Sequence, residues 1–223
     1  YGLVQQTSNQ WYFGEQAGIE FTNGPIAILD ANQQDALEGC ATVSDVNGDL
    51  LFYTNGATVW NRDHDVMENG NAIGGQQRSA QNSLIMPFAN DETIFYIFTT
   101  ERVNGDDEYA LRYSIVDMKE DAARGKVIVK NNKLMDNSTE RVTGSGFTGN
   151  DLIMAHEFGN NMFRGYQTGP DGLSGAIFSP VGEVHEFMNE LSATGYMKIS
   201  PTLNQIADNI QGTNEVEILN FDQ

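Results

Sequence analysis

The chain has 223 residues, with 12 Lys and Arg against 31 Asp and Glu, which gives a formal net charge of -19. An acidic surface of this strength repels phosphate backbones and anionic lipids, so nucleic acid is excluded as an expected partner. Hydrophobic residues make up 39% of the sequence, a globular composition, and no apolar run is long enough for a membrane-spanning helix.

In chain order, one pattern occurs four times: a short apolar strand, a nearly continuous apolar strand and an alternating strand, separated by turns. The short strands are predicted at 41–43, 83–86, 141–143 and 196–199. The continuous strands are predicted at 49–54, 93–98, 151–155 and 205–207, and the alternating strands at 57–60, 111–116, 162–166 and 216–221. Turn residues such as Asn55 and Gly56 separate them, because Asn-Gly pairs adopt the positive φ angles of tight hairpins.

The spacing of this pattern indicates a fold class. Four residues in the continuous strands, Leu51, Phe95, Ile153 and Ile206, are 44, 58 and 53 residues apart. Periods of about 40 to 50 residues with several strands each are typical of β-propeller blades. A blade has two apolar faces that only neighbouring blades can bury. We therefore predict an all-β fold in which residues 1–223 form one partial β-propeller domain of about four blades.

Three further structural expectations follow from the same pattern. A propeller usually closes with roughly six to eight blades, so we expect the closing blades beyond Gln223. We expect the continuous strands to lie nearest the axis. Trp11 and Trp60 are expected to be buried packing anchors, Cys40 a small core residue, and Asp45 an acceptor of backbone hydrogen bonds in a turn.

Two acidic clusters are the candidate metal sites. One is Asp106, Asp107 and Glu108, and the other is Asp63, Asp65 and Glu68. Carboxylate oxygens are the ligands that Ca²⁺ prefers, so calcium is the cofactor these clusters would hold. Exposed acidic loops are also common without any metal, and the simpler expectation is a solvated surface with no cofactor. The segment starting at Asp45 lacks the EF-hand spacing and is better explained by a hairpin turn.

No motif predicts catalysis. The glycines at 144–149 match a dinucleotide pattern, but they lead into a strand, whereas the pattern needs a helix to hold the pyrophosphate. His156 and Glu157 begin a zinc-protease pattern whose second histidine is replaced by Asn160. His64, His156 and His185 show no metal-ligand spacing. We therefore expect no catalytic residues and no enzyme activity.

Several segments together carry a family resemblance. They are WYFG at 11–14, LEGCATVSD at 37–45, VWNRDH at 59–64, LRYSIVDM at 111–118, STERVT at 138–143, AHEFGN at 155–160 and GYMKISP at 195–201. The set resembles the N-terminal propeller of large surface proteins of Bacteroidetes-type bacteria. Those proteins are similar to gliding-motility-associated adhesins, which are exported by type IX secretion and carry PKD-like repeats and a C-terminal type B sorting domain.

The resemblance implies an extracellular or cell-surface location and a binding or scaffolding role linked to gliding motility. The expected partners are other protein domains, the rest of the same polypeptide, and glycans or surfaces. Two alternatives stay open: a non-catalytic component of the secretion or gliding machinery at the outer membrane, and a glycan-active propeller enzyme. The enzyme would need two carboxylates facing one cleft, and the sequence singles out no such pair.

Overall fold

Apolar runs separated by Gly, Asn and Asp form strands throughout the chain. The structure, a computed structural model, describes residues 7–28, 32–88, 91–104, 109–145, 151–169, 171–186 and 190–221. This part is all-β, as predicted, with two three-residue 3₁₀ helices at Asp121–Ala123 and Glu190–Ser192. No helix within the described ranges is long and apolar enough to cross a membrane.

The strands fall into five antiparallel units that follow one another along the chain. The first unit contains β1 (Gln10–Phe13), β2 (Ala17–Glu20) and β3 (Ile26–Ala27). The second contains β4 (Ala41–Ser44), β5 (Leu50–Thr54), β6 (Thr58–Asn61) and β7 (Val66–Asn71). The third contains β8 (Ser83–Phe88), β9 (Asp91–Thr100), β10 (Ala110–Asp117) and β11 (Lys126–Asp136). The fourth contains β12 (Ser138–Gly144), β13 (Leu152–Glu157), β14 (Met162–Gly169), β15 (Gly172–Leu173) and β16 (Ile177–Pro180). The fifth contains β17 (Gly195–Ile199), β18 (Gln205–Ile210) and β19 (Glu215–Asn220).

Within each unit, consecutive strands pair as antiparallel neighbours, with β15 and β16 both pairing with β14. The second and third units also join at their outer edges, where β7 and β11 form a parallel bridge at Glu68 and Lys126. These two units therefore make one eight-stranded sheet in the order β4-β5-β6-β7-β11-β10-β9-β8. All twelve predicted strands are present, and Gly56 occupies its predicted turn with a φ of 83°.

Consecutive units pack face to face through apolar clusters. Between the second and third units, for example, the Phe52 and Phe95 rings meet edge to face with centroids 5.5 Å apart. Similar clusters join the first unit to the second, the third to the fourth, and the fourth to the fifth. Strands β5 and β9 are therefore covered on both faces, which accounts for their nearly continuous apolar sequences.

The first strands of the units bring the units together at one edge. Strand β1 contacts β4, β4 contacts β8, β8 contacts β12, and β12 contacts β17. These contacts define one edge at which the units meet but no axis, so the expectation that the continuous strands lie nearest an axis stays a prediction.

The two terminal units each leave one apolar face uncovered. In the fifth unit, Met197 and Ile206 pack against the fourth unit, whereas Tyr196, Val216 and Ile218 lie on the opposite face and are more than half exposed. In the first unit, Tyr12 faces the second unit and Trp11 faces away.

Trp11 is 52% exposed, so its prediction as a buried anchor is wrong, while Trp60 is buried as predicted. The exposed indole contacts the Phe21 ring, with centroids 5.0 Å apart.

Candidate functional site

The acidic cluster between β6 and β7 is organised by an amide side chain. Oδ1 of Asn61 accepts hydrogen bonds from the backbone N–H groups of Asp63 at 2.9 Å and Asp65 at 3.1 Å. Glu68 lies in β7, and its carboxylate pairs with Nζ of Lys126 at 2.6 Å. The structure therefore does not bring Asp63, Asp65 and Glu68 together as three free ligands.

The other calcium candidates, Asp106, Asp107 and Glu108, lie outside the described residues, so calcium binding there stays a prediction. Within the ranges that the structure does describe, no group of three or more His, Cys, Asp or Glu side chains could hold a metal ion. The turn at Asp45 is as predicted: its Oδ1 accepts the N–H groups of Asn47 and Asp49.

A polar cavity of about 330 Å³ is lined by residues from strand β12, from two connections between units and from loops before or within other units. We name it the convergence pocket. Its lining residues are Glu38, Arg78, Arg102, Glu140, Leu191, Thr194 and Gln211. They come from segments far apart in sequence, so the cavity exists only when the units are stacked.

Glu140 of β12 joins the walls of the convergence pocket. Its Oε2 accepts the N–H of Ala80 at 2.8 Å, and its Oε1 accepts the N–H of Val103 at 3.1 Å and the Thr194 hydroxyl at 3.3 Å. Burial is the main cause that raises the pKa of this carboxyl group, and these hydrogen bonds oppose the rise. Since both carboxylate oxygens accept hydrogen bonds from the surrounding segments, the side chain holds the walls of the pocket in place.

Backbone hydrogen bonds hold the other charged residues of the pocket side by side. The N–H of Glu38 donates to the carbonyl of Gln77 at 3.2 Å. The N–H of Arg102 donates to Oε1 of Gln76 at 3.2 Å, next to the segment that carries Arg78. The three loops are thus fixed relative to one another even though the charged side chains themselves are exposed.

The two arginines of the pocket differ from most cations of the chain, which form ion pairs. Cations in ion pairs with carboxylates are Arg112, Lys119, Arg124, Lys126, Lys133, Arg141 and Arg164. By contrast, the guanidinium groups of Arg78 and Arg102 have no ion-pair or hydrogen-bond partner among the described residues. The pocket therefore presents two guanidinium groups outside ion pairs, on the same lining as the carboxyl groups of Glu38 and Glu140.

Directly behind the pocket, Arg141 is fully buried between the fourth and fifth units. Its Nη2 donates to the carbonyls of Ser192 and Thr194, which fixes the turn that carries two pocket residues. Its Nη1 lies 2.6 Å from Nδ1 of His185, and its Nε lies 3.3 Å from Oδ1 of Asp208. Because a guanidinium can only donate, Nδ1 of His185 is the acceptor and its proton is on Nε2.

The buried histidines and Asp208 have shifted pKa values. Burial is the main cause that lowers the pKa of His156 to about 3 and of His185 to about 2, with the Arg141 charge adding to the effect. With these lowered pKa values both imidazoles are neutral at pH 7. The two neutral rings stack with centroids 3.7 Å apart. Burial also raises the pKa of Asp208 to about 6, although Arg141 opposes the rise.

One side chain links units that are not neighbours in the chain. Gln81, just before β8, donates from Nε2 to the carbonyl of Met197 at 3.1 Å and accepts the Met197 N–H at Oε1 at 2.7 Å. The amide thus pairs with β17 as a neighbouring strand would. It ties the segment before the third unit to the first strand of the fifth unit.

A second cavity, of about 380 Å³, lies between the second and third units at the opposite ends of β4, β8 and β9. Apolar side chains such as Leu51, Phe95 and Met118 line it, with Arg62 and Lys119 among its charged residues. It is an apolar groove, so the two ends of the stacked units differ in chemistry.

Sequence reasoning missed the convergence pocket and the cluster behind it. The STERVT segment was noted only as part of a resemblance, and His156 and His185 were judged by their sequence spacing. The available signal was the Glu140-Arg141 pair next to Val142 in a segment predicted as a strand, because a charge that a strand buries needs partners. Cys40 is half-buried, and burial raises the pKa of its thiol.

Comparison of this chain with protein-family models, with curated protein sequences and with solved structures found no match.

Proposed function

We propose that the chain is part of a β-propeller that acts as a non-catalytic binding module of a large secreted or cell-surface adhesin linked to gliding motility. The observation that carries this proposal is the convergence pocket, formed by loops of several antiparallel units together with Glu140 of β12. Sites between repeated units, where their connecting loops converge, suit ligand binding because a rigid scaffold positions the loops.

Binding is favoured over hydrolysis by the state of the two pocket carboxylates. A glycan-cleaving site needs one carboxyl group as an acid and a second as a base or nucleophile. Glu140 has the raised pKa of an acid, but both of its oxygens accept hydrogen bonds from the pocket walls. Glu38 is then the one pocket carboxylate that is exposed and open to a ligand.

The uncovered faces of the first and fifth units support the architecture of an incomplete ring. In a propeller every blade packs against two neighbours, and here the three inner units do so. We propose that further sheets of the same design cover Trp11 on one side and Val216 and Ile218 on the other.

The function is tested by filling the pocket. Leu191 is half-exposed on its wall, so Leu191→Trp fills the cavity without disturbing a buried contact. The matched control is Ile128→Trp, at an equally exposed position on β11 away from the pocket. We expect the unmodified chain and Ile128→Trp to bind ligands from a glycan and peptide panel without cleaving them. Leu191→Trp should lose this binding. Retention by Leu191→Trp, or cleavage of the ligand, would contradict the proposal.

A further inference from the structure

We infer that the ligand of the convergence pocket is an acidic sugar residue, a hexuronic acid within a polysaccharide. This inference rests on the proposed binding function and names the ligand class for the same site. It joins three observations: two arginines whose guanidinium groups are in no ion pair or hydrogen bond among the described residues, a set of neutral and anionic hydrogen-bonding groups on the same lining, and a cavity of limited size.

The arginine pair would bind the sugar carboxylate. Arg78 and Arg102 line one cavity, on segments tied together through Gln76. A guanidinium is planar and donates two parallel hydrogen bonds, which matches a carboxylate. On a chain with a net charge of -19, the long-range field repels anions, so attraction must come from groups at the site itself.

The remaining wall suits hydroxyl groups. Glu38 offers carboxylate acceptors, Gln211 offers an amide that both donates and accepts, and the Thr194 hydroxyl, which donates to Glu140, can still accept. The half-exposed Leu191 offers an apolar surface for the C–H face of a pyranose ring. An acidic peptide side chain would use the arginines and leave this wall unpaired, so the sugar is the better fit.

The size and rigidity of the pocket agree with this ligand. A cavity of about 330 Å³ accommodates one sugar residue and is too small for a folded protein surface. Glu140 and Arg141 fix the walls from behind, so little ordering is needed on binding. They are positioning residues, since the structure directs their hydrogen bonds to the walls.

The experiment uses galacturonic acid and its trimer as probes, with galactose and N-acetylglutamate as comparisons. Binding is measured by saturation-transfer NMR and calorimetry at constant ionic strength. The variants are Arg78→Gln and Arg102→Gln, and the control is Arg62→Gln. Arg62→Gln makes the same change in net charge as the pocket variants. Arg62 also lacks a partner among the described residues, but it lies at the apolar groove and not at the convergence pocket.

We expect the uronate trimer to bind at least tenfold more tightly than galactose. Each pocket variant should lose at least tenfold in affinity, with Arg62→Gln unchanged and all melting temperatures alike. Equal binding of galactose, no binding of either uronate, or equal losses in all three variants would overturn the inference. Tighter binding of N-acetylglutamate would overturn it in favour of an acidic peptide. If Leu191→Trp abolishes binding of another ligand while both arginine variants retain it, the acidic sugar is wrong and the proposed binding function stands.

Discussion

Two interfaces within the molecule hold similar sheets together with different chemistry. Between the second and third units, buried residues such as Phe52, Ile97 and Val127 form an apolar contact. Between the fourth and fifth units, apolar residues surround the buried charges of Arg141 and Asp208. The apolar interface depends on shape, whereas the charged interface also depends on every partner being present and on pH. The convergence pocket lies beside the charged one.

The largest expected effect comes from breaking the charged interface. Arg141→Ala leaves the Asp208 carboxylate buried without its cation, and removal of one member of a buried ion pair costs about 3–5 kcal/mol of unfolding free energy. Urea unfolding at pH 7 measures this loss. The matched control is Arg164→Ala, whose pair with Glu157 is partly exposed, with side chains 24% and 15% accessible, and which should therefore cost less than Arg141→Ala. Equal costs for the two variants would contradict the role of Arg141.

The apolar interface should respond to lost volume alone. Ile97 is fully buried in that cluster, and truncating a buried isoleucine to alanine costs about 2–5 kcal/mol. We expect Ile97→Ala to lower the unfolding free energy, measured in urea, by about 3 kcal/mol, and by the same amount at pH 7 and at pH 5. Ile128→Ala, at an exposed position, is the control and should be nearly neutral. If the cost of Ile97→Ala changes with pH, the claim that only the charged interface depends on pH is wrong.

Acidification should weaken only the charged interface. The folded-state pKa values of His156 and His185 are lowered, so the unfolded chain binds two more protons below about pH 6.5, and stability is lost as the pH falls. The raised pKa of Asp208 acts in the opposite direction, because the folded chain takes up that proton first, from about pH 6 downward. The net expectation is a loss of about 2 kcal/mol between pH 7 and pH 5.

Chemical denaturation across this pH range measures that loss, and His156→Phe should remove most of it, because Asp208 then offsets much of the contribution of the remaining His185. NMR titration of the imidazole signals provides the direct reading. If either buried histidine takes up a proton in the folded chain above pH 5, this explanation of the pH dependence is wrong.

The smallest effect is expected on the uncovered face of the fifth unit. Ile218 is 59% exposed there, so Ile218→Thr should change stability by about 0.5 kcal/mol or less. Ile206→Ala, on the covered face of the same unit, should cost about 2–5 kcal/mol. Thermal unfolding with sedimentation analysis measures both. A large cost at Ile218 would mean that another sheet or a second copy covers this face.

Local patterns predicted the strands of the second to fifth units because strand formation follows from short apolar runs and turn residues. They did not reveal the first unit, whose strands have two to four residues. They also missed strands β7, β11 and β16, which are polar or exposed at many positions. A strand that is exposed to solvent needs fewer apolar residues, so its sequence carries a weaker apolar signal.

The site was beyond sequence reasoning for a different reason. Arg141 meets His185 and Asp208 only after the fourth and fifth units stack, and Arg78 and Arg102 line one cavity from two separate loops. No spacing rule relates such residues. A buried charge inside β12 could have signalled that partners exist, but the identity of those partners depends on tertiary structure.

The paired hydrogen bonds between Gln81 and Met197 have a consequence for the order of folding. The apolar clusters join units that follow each other in the chain, so each can form as soon as the next unit is complete. The Gln81 bond spans 116 residues and requires the third and fifth units to be in place together. We therefore expect these hydrogen bonds to form late in folding. Once formed, they oppose fraying of the fifth unit, and the rate of amide exchange at Met197 measures how often they open.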